Sequence, residues 1–395
     1  MGLLRLFLTF FRLGATSWGG FALMAAARNA FVTDRRLVTP QQYADALALA
    51  WLMPGPVGSN LAVRLGYLMR GPWGAAAAGA GALLPSLIAI CLLAQGYRSV
   101  ESHHSIVSAL LSGLSPAICA VIVGAALGQA KTALADPLDA ALAVVAALGL
   151  LAFQGALVPV LLLGSAAALS AGVRARATRT PTAVAPPVPR SAAARPSAGV
   201  IACLALLGAC VLPLGFPSLL RDAPAWFQLP AGLAGATLSM FGGGLIAVPV
   251  LHQLCVESFH WTTPAGLTGA IAASQISPGP LLTSTIFIGY QTAGIAGALG
   301  AAVGTFGPPG ALTLCAGFGL SAIRSSPRFD SAMRGVRAAV VGLTVASAWQ
   351  IAQGSALSWV TLALFGLSLL LLTKTACKAY ALVPLSGLAG VLLYL

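Results

Sequence analysis

Apolar runs follow one another along almost the whole chain, and this pattern decides the class of protein. A helix needs about 20 consecutive apolar residues to cross the hydrocarbon core of a bilayer. Only 7% of the residues are charged, whereas a soluble domain carries about 25%, so the chain cannot cover itself with a water-facing surface. The sequence therefore predicts an all-α, polytopic transmembrane protein. The apolar runs lie at 3–24, 41–69, 72–97, 104–130, 137–152, 155–171, 199–219, 226–250, 263–290, 294–323, 334–352, 356–373 and 378–395.

A segment rich in arginine and proline separates two apolar halves. Residues 172–198 hold five arginines and five prolines but no acidic residue. Such a segment cannot bury a core, and its positive charge favours the cytoplasmic side of the membrane. We therefore expect a first transmembrane repeat at 1–171, a disordered cytoplasmic linker at 172–198, a connecting transmembrane helix at 199–219 and a second transmembrane repeat at 220–395.

The ionisable residues argue against several classes of function. The net charge of +13 is scattered over helix ends and the linker, without the basic stripe and aromatic residues of a nucleic-acid-binding surface. None of the seven cysteines forms a CxxC motif, and no histidine or carboxylate cluster has the spacing of a metal or catalytic site. An ATP-binding Walker motif is also absent from the sequence. We therefore expect no nucleic-acid partner, no metal, no cofactor and no enzymatic activity.

The two halves repeat the same motifs in the same order. Each half has a glycine break, then a Pro-Gly-Pro motif, then Gly-Tyr, then a glycine-rich stretch that ends in proline. Corresponding residues lie 223 or 224 positions apart. Internal repeats of this kind are typical of secondary transporters, whose halves are often inverted. We therefore expect inverted repeats that contain broken helices. The glycine breaks are Gly19 and Gly20 in the first half and Gly242, Gly243 and Gly244 in the second.

Each Pro-Gly-Pro motif must interrupt a helix inside an apolar run, because proline lacks an N–H and clashes with the preceding turn. At membrane depth such a break is tolerated where it is buried in protein or lines a wet cavity. The helix that restarts after the motif offers free N–H groups and the positive end of its dipole, which suit an anion. We therefore predict an anion-binding site, with two purely structural kinks as the alternative. Its residues are Pro54, Gly55, Pro56, Ser59, Asn60, Pro278, Gly279, Pro280, Thr283 and Ser284.

Three charged side chains fall within apolar runs and are candidates for function. Arg64 follows the first Pro-Gly-Pro by eight residues, and a guanidinium binds oxyanions in a bidentate fashion. We predict that Arg64 contacts the transported anion, with an ion pair between Arg64 and Asp45 as the alternative. Arg12 and Asp45 are possible charge partners, or they reach out of the membrane from helix ends. The histidines, His252 among them, fall in predicted loops, where we expect them to be solvated.

The doubled motifs resemble the chromate ion transporter family in its long, two-domain form. The resemblance covers nearly the whole chain and rests on the repeated order of the motifs rather than on Pro-Gly-Pro alone. It implies export of chromate, with sulfate as a look-alike, across a bacterial inner membrane. Gln275 matches the glutamine that the family places three residues before Pro-Gly-Pro, so the resemblance implies that it contacts substrate. The chain departs from the family pattern at Phe21, where a proline is usual, and at Trp51, where the first half lacks this glutamine.

Several alternatives stay open on the sequence alone. The partners that we expect are the lipid bilayer and an oxyanion of the chromate or sulfate type. Transport of sulfate or another anion, or a channel-like function, would be consistent with the same motifs. The direction of transport, the coupling ion and the oligomeric state, a homo-oligomer included, are not decided by the sequence.

Overall fold

The protein is described by a computed structural model that covers ten stretches of the chain. The described residues form helices and no strand, which confirms the all-α prediction for this part of the chain. Gly19, the glycines Gly242, Gly243 and Gly244, the predicted helix at 199–219 and the linker beyond residue 177 lie outside the described residues. The described stretches are 1–17, 20–100, 104–153, 158–177, 223–238, 240, 247–316, 327–353, 358–375 and 379–394.

The helices of the second half follow the order of the helices in the first half, which confirms the prediction of two related halves. In the first half the helices are α1 (Leu3–Thr16), α2 (Gly20–Arg28), the π-helix Asn29–Asp34, α3 (Pro40–Leu52), α4 (Val57–Val100), α5 (His104–Ala133), α6 (Pro137–Ala152) and α7 (Val158–Ala177). In the second half they are α8 (Ala225–Leu238), α9 (Ala247–Leu251), the π-helix His252–Ser258, α10 (Pro264–Ile276), the 3-10 turn Leu281–Thr283, α11 (Ser284–Ala316), α12 (Pro327–Gln353), α13 (Trp359–Lys374) and α14 (Ala379–Tyr394).

Short helices precede both Pro-Gly-Pro motifs. Thr39 and Thr263 cap α3 and α10, because each hydroxyl accepts a hydrogen bond from the backbone N–H three residues later. A proline follows each threonine, at a helix position where its missing N–H costs nothing. Each of these helices has 13 residues and is therefore about 20 Å long, too short to cross about 30 Å of hydrocarbon. The apolar runs 41–69 and 263–290 are thus divided into half-helices rather than forming single spans.

Helix α4 turns back on itself shortly after the first Pro-Gly-Pro. The backbone leaves the helical region at Gly71, whose φ of 62° favours glycine. Gly66 and Gly74 then touch, since a Cβ on Gly66 would lie 2.3 Å from the carbonyl oxygen of Gly74. Residues eight apart in a straight helix are separated by about 12 Å. Helix α4 is therefore a hairpin with a first arm at 57–69 and a second arm at 72–100.

Helix α11 repeats this hairpin in the second half. Gly294 has a φ of 60°, and a Cβ on Gly289 would lie 2.4 Å from the carbonyl oxygen of Gly297. Its second arm approaches α8 through another glycine, because a Cβ on Gly304 would meet the backbone of Pro230 at 2.5 Å. Glycines thus permit the turns and the close backbone contacts that build both hairpins.

The two halves interlock rather than lying side by side. The hairpins α4 and α11 pack against each other across the repeats, while α5, α6 and α7 pack against α12, α13 and α14. Glycine again allows close approach, because a Cβ on Gly342 of α12 would meet the backbone of Ala143 of α6. The two halves therefore form a single helical body, and each Pro-Gly-Pro motif lies where the two halves meet.

The outer helix faces identify lipid as the surrounding solvent. Helix α6 buries one apolar face, and its opposite face exposes Val144, Val145, Leu148 and Leu151. A helix that is apolar on its exposed side as well belongs in hydrocarbon. By length and composition, three described helical stretches could cross a membrane, namely Ser112–Lys131 and the two stretches that contain the hairpins, Val57–Arg98 and Ser284–Ala316.

An ion-pair network joins the two halves where α6 begins. Asp139 is fully buried, and its carboxylate pairs with Arg174 of α7 at 2.6 Å and with Arg334 of α12 at 3.3 Å. Asp136 caps α6 and also pairs with both arginines, at 2.9 and 3.1 Å. The hydrogen bond from Arg174 and that from the Asp139 backbone lower the pKa of Asp136.

The network corrects one boundary of the predicted linker. Helix α7 runs to Ala177, so residues 172–177 are helical rather than part of a disordered linker. Arg174 is one of the five arginines of the predicted linker, but its guanidinium is mostly buried against Asp136 and Asp139. The helix continues because these two carboxylates, which lie more than thirty residues earlier in the chain, provide the arginine with partners.

Candidate functional site

Both Pro-Gly-Pro motifs end a helix and turn the chain sharply. Met53 and Ser277 close α3 and α10 in extended conformations, with φ near −83° at both. The glycines that follow have φ of 86° at Gly55 and 126° at Gly279, values that side chains disfavour. The predicted interruption of the helix is present at equivalent places in both halves.

The chain resumes differently after the two motifs. In the first half an α-helix begins directly at Val57. In the second half a 3-10 turn comes first, with the Thr283 N–H donating to the carbonyl of Pro280 at 3.0 Å, and the α-helix starts at Ser284. The second half-helix therefore presents Ser284 in its first turn, where backbone N–H groups lack partners within the helix.

Each break lies against the other half of the molecule. The Gly55 N–H donates to the carbonyl of Met240 at 2.8 Å, and a Cβ on Gly55 would lie 2.7 Å from Pro309 of the second hairpin. A Cβ on Gly279 would in turn collide with Ser86 of the first hairpin. Pro309 lies 223 positions after Ser86, so the two contacts are equivalent and arise from one repeat symmetry.

A small cavity lies where the two halves meet. Residues from the first turn of the α4 hairpin and from the second Pro-Gly-Pro border the same space. Ser17, which ends α1 and is buried, also faces it, so hydroxyl groups and a helix N-terminus converge there. The cavity is lined by Gly14, Ser17, Leu23, Gly58, Ser59, Ala82, Leu83, Gly279 and Pro280.

The polar residues after the two motifs differ in how they are bonded. Asn60 is almost completely buried, and its Nδ2 donates to the carbonyl of Pro54 at 2.9 Å. Ser284, at the equivalent position, is completely buried, and its hydroxyl has no hydrogen-bond partner among the described residues. The Thr283 hydroxyl donates to the carbonyl of Pro280 at 3.0 Å. Of the two predicted hydroxyls in the second half, Ser284 is thus the one left for a ligand.

Arg64 lies one turn beyond Asn60 and is half-buried. Its guanidinium carbon is 5.8 Å from the centroid of the Tyr67 ring, a cation–π arrangement. Within the described part of the chain, no carboxylate forms an ion pair with Arg64. Asp45 is exposed and accepts a hydrogen bond from Gln41, so the alternative pairing of Arg64 with Asp45 is not formed. Arg12 is exposed on α1 as well.

The remaining predicted residues lie near the breaks. Gln275 is half-buried in the last turn of α10, directly before the second motif. Pro54 and Pro56 are buried beside Gly55, whereas Pro278 and Pro280 are partly exposed beside Gly279. Gly20 starts α2.

Sequence reasoning missed several polar residues that meet at the breaks. Ser86 and Thr237 are fully buried and touch the opposite half at Gly279 and Gly55. One signal was present for Ser86, since it directly follows the proline that ends the glycine-rich motif. The sequence also assigned His252 to a solvated loop, and this was wrong. His252 is buried on a π-helix that packs in the core.

The chemistry of the site suits an anion. Within the described stretches, no group of three histidine, cysteine or carboxylate side chains could hold a metal ion. The cavity combines serine hydroxyls with the first turn of a helix, and both donate hydrogen bonds to negative oxygen atoms. Arg64 adds a positive charge on the same half-helix.

Comparison with known proteins identifies counterparts of both repeats. A sequence model described as chromate transporter matches residues 4–171 and 227–391. A chromate transport protein of Pseudomonas aeruginosa is 29% identical over 405 residues, which cover 99% of this chain and 92% of the relative. A chromate transport protein of Cupriavidus metallidurans is 28% identical over 376 residues, or 94% of this chain and 88% of the relative. No solved structure matches the chain.

Proposed function

Since the chain belongs to the chromate transporter family, we propose that it is a secondary transporter that exports chromate across a bacterial inner membrane. Two relatives of nearly the same length carry the name chromate transport protein. The apolar outer faces of the helices make this a multi-pass membrane protein. An ion gradient or the membrane potential would drive transport, because the sequence has no ATP-binding motif.

The observation that carries the proposal is the meeting of the two broken helices. Gly58 and Ser59 after the first break share a cavity with Gly279 and Pro280 of the second. Secondary transporters bind substrate where discontinuous helices of two repeats converge, with half-helix N-termini directed at anionic groups. A tetrahedral dianion with four acceptor oxygens fits such a set of donors.

We assign the binding of the oxyanion to the residues around the two breaks. Arg64 supplies the positive charge, and it has no described carboxylate to neutralise it. Ser59 and Ser284 supply hydroxyls, and Gly279 lets the backbone turn at the cavity. Sulfate has the same charge and a similar shape, so the same donors would bind it.

The membrane potential alone is a sufficient driving force for export. An inside-negative potential expels a divalent anion with about 4.6 kcal/mol for every 100 mV. This corresponds to a concentration ratio of more than a thousandfold at 100 mV, so the proposal needs no separate coupling ion. Proton coupling would add to this gradient.

Uptake into everted membrane vesicles tests the proposal. Vesicles from a host that expresses the chain are energised with a respiratory substrate and supplied with radiolabelled chromate. We expect saturable chromate uptake that exceeds uptake by vesicles from the empty host and that falls when the potential is collapsed. Unlabelled sulfate should compete if the site accepts both anions.

The same vesicles separate the alternatives. In vesicles that are preloaded with excess unlabelled chromate and held without a potential, a carrier transiently accumulates labelled chromate above its external concentration, whereas a channel only equilibrates the label. Saturable uptake of sulfate without uptake of chromate would replace chromate by sulfate as the substrate. Equal uptake by expressing and empty vesicles, with the protein present in the membrane, would contradict oxyanion export.

A further inference from the structure

Equivalent backbone carbonyls in the two breaks accept hydrogen bonds from side chains that are not equivalent. The carbonyl of Pro54 accepts a hydrogen bond from Asn60 Nδ2 at 2.9 Å, within its own repeat. The carbonyl of Pro278, 224 positions later, accepts one from Ser86 Oγ at 2.5 Å, across the repeats. The same structural requirement is therefore met by a local amide in one half and by a distant hydroxyl in the other.

The sequence differences at two positions explain why the two carbonyls have different donors. Ser284 stands where the first half has Asn60, and a serine side chain lacks the terminal amide that reaches back to the carbonyl of its own break. Pro309 stands where the first half has Ser86, and the side chain of proline has no hydrogen-bond donor. Both donors thus come from the first half, because Asn60 bonds the break of its own repeat and Ser86 bonds the break of the other.

Because Ser86 bonds the carbonyl of Pro278, the hydroxyl of Ser284 is left free. Its Oγ is completely buried and has no partner in the part of the chain that the structure describes, a state that costs free energy unless a ligand satisfies the group. The neighbouring hydroxyls are occupied, since Thr283 donates to Pro280 and Thr285 donates to Leu282 at 2.7 Å. Ser284 is therefore the hydroxyl of this turn that can bond a ligand without breaking a bond within the protein.

Asn60 offers the opposite chemistry at the equivalent position. Among its described surroundings, its unpartnered atom is Oδ1, a hydrogen-bond acceptor, which repels the oxygens of an anion. Reversing the amide would place Oδ1 against the carbonyl of Pro54, so that two acceptors would face each other. Asn60 is thus committed to holding its own break.

We propose that the two breaks have divided their roles: Ser284 is the side-chain hydroxyl that donates to the transported oxyanion, and Ser86 is a positioning residue. By bonding the carbonyl of Pro278, Ser86 fixes the second break and leaves the Ser284 hydroxyl available. The assignment rests on the proposed function for the identity of the ligand. The role of Ser86 in bonding the second break does not depend on that identity.

Exchange of the two donors tests the proposal. In purified protein, Ser86→Ala should lower the melting temperature. In proteoliposomes it should raise the KM for chromate about tenfold, because the Ser284 hydroxyl that it positions would lose its hydrogen bond to the charged ligand. In Ser86→Ala/Ser284→Asn, the new amide should donate to the carbonyl of Pro278 as Asn60 does to Pro54. We expect this double variant to recover the melting temperature but not the KM.

Two single variants serve as references. Ser284→Ala should raise the KM for chromate by about tenfold and leave the melting temperature unchanged or higher, because it removes an unpartnered buried hydroxyl. Ser386→Ala is the matched control, since the Ser386 hydroxyl also donates to a carbonyl of another helix, that of Gly113 at 2.7 Å, far along the chain from both breaks. It should lower the melting temperature without changing the KM.

The outcomes separate the proposal from its premise. Recovery of both quantities in the double variant, or a normal KM in Ser284→Ala, would overturn the role of Ser284. A lowered melting temperature with a normal KM in Ser86→Ala would reduce Ser86 to a structural residue. A wild-type protein that moves neither chromate nor sulfate would overturn the proposed function and the ligand of Ser284. The melting temperatures would then still decide whether an asparagine introduced at position 284 replaces Ser86 as the donor to the second break.

Discussion

At the scale of single residues, the buried carboxylate of Asp139 is the charge most completely removed from solvent in the ion-pair network. It has no exposed surface and pairs with Arg174 and Arg334, which come from different halves. Removing one partner of such a group leaves the other charges buried and uncompensated. The network therefore ties the two repeats together through charge, in addition to helix packing.

Neutralising Asp139 should destabilise the protein far more than neutralising its neighbour. We predict that Asp139→Asn lowers the free energy of unfolding by about 3–5 kcal/mol. Asp136→Asn should lower the free energy of unfolding much less, because the Asp136 side chain is 38% exposed. Water can therefore replace part of the charge stabilisation that the arginines provide. Thermal and denaturant melts of the purified variants in detergent measure both. Equal losses in the two variants would show that burial of Asp139 does not matter.

Arg64 is the residue that we propose as the positive charge of the anion site on the first half-helix. We predict that Arg64→Gln abolishes chromate uptake at normal protein level, and that Arg64→Lys retains a part of it, because lysine keeps the charge but loses the bidentate fork. Asp45→Asn should leave uptake unchanged, since Asp45 is exposed and bonds Gln41. Full activity of Arg64→Gln would remove Arg64 from the site. Rescue of Arg64→Gln by Asp45→Asn would favour the ion pair instead.

At the scale of helices, the glycine contacts determine whether the hairpins close. A Cβ on Gly66 would lie 2.3 Å from the backbone oxygen of Gly74, and a backbone atom cannot rotate away as a side chain can. We predict that Gly66→Ala opens the α4 hairpin and strongly reduces the yield of monodisperse protein in size-exclusion chromatography. Gly96→Ala is the matched control on the same helix, since no atom of the described residues crowds its Cβ within 4 Å. A normal yield of Gly66→Ala would argue against the hairpin.

The half-helices could be predicted because their cause is local. A proline prevents the helix from continuing whatever the surroundings, and the motif recurs in both halves, so Gly55 and Gly279 were found from sequence. The hairpin turns at Gly71 and Gly294 could be predicted only as boundaries between apolar runs. Glycine permits a turn but does not require one, and the contact between Gly66 and Gly74 depends on how the arms pack.

The residues that sequence reasoning missed owe their positions to contacts across the repeats. Ser86 meets Pro278, 192 residues away, and Arg174 meets Asp136 and Asp139 from a helix that the sequence assigned in part to a linker. His252 was placed in a loop because it lies between the apolar runs 226–250 and 263–290. No local pattern contains these pairings, since each depends on how distant parts of the chain pack together.

At the scale of the whole molecule, residues of both interlocked halves line the cavity, so its shape depends on how the two halves are placed relative to each other. Each break lies against the hairpin of the other repeat, so a movement of one half against the other changes the surroundings of both breaks at once. Alternating access of this kind is how paired repeats move substrate in secondary transporters. The second repeat therefore contributes to the proposed site rather than merely duplicating the first.

The connection between the halves should lie in the cytoplasm. The part of the predicted linker beyond Ala177 holds three arginines and no acidic residue, and cytoplasmic loops carry such an excess of positive charge. In a variant with the native cysteines replaced, we predict that a cysteine substituted for Thr180 resists a membrane-impermeant maleimide in intact cells but reacts in everted vesicles. A cysteine that reacts readily in intact cells would reverse the orientation of the protein.

The measurement that tests the central claim most directly is equilibrium binding of radiolabelled chromate to the purified protein. We predict saturable binding that weakens about tenfold in both Ser59→Ala and Ser284→Ala, the loss expected for one hydrogen bond to a charged ligand, because residues from both breaks contact one anion. Ser386→Ala should bind as the wild type does. Chromate binding that is unaffected by changes at either break would contradict an oxyanion site between the two repeats.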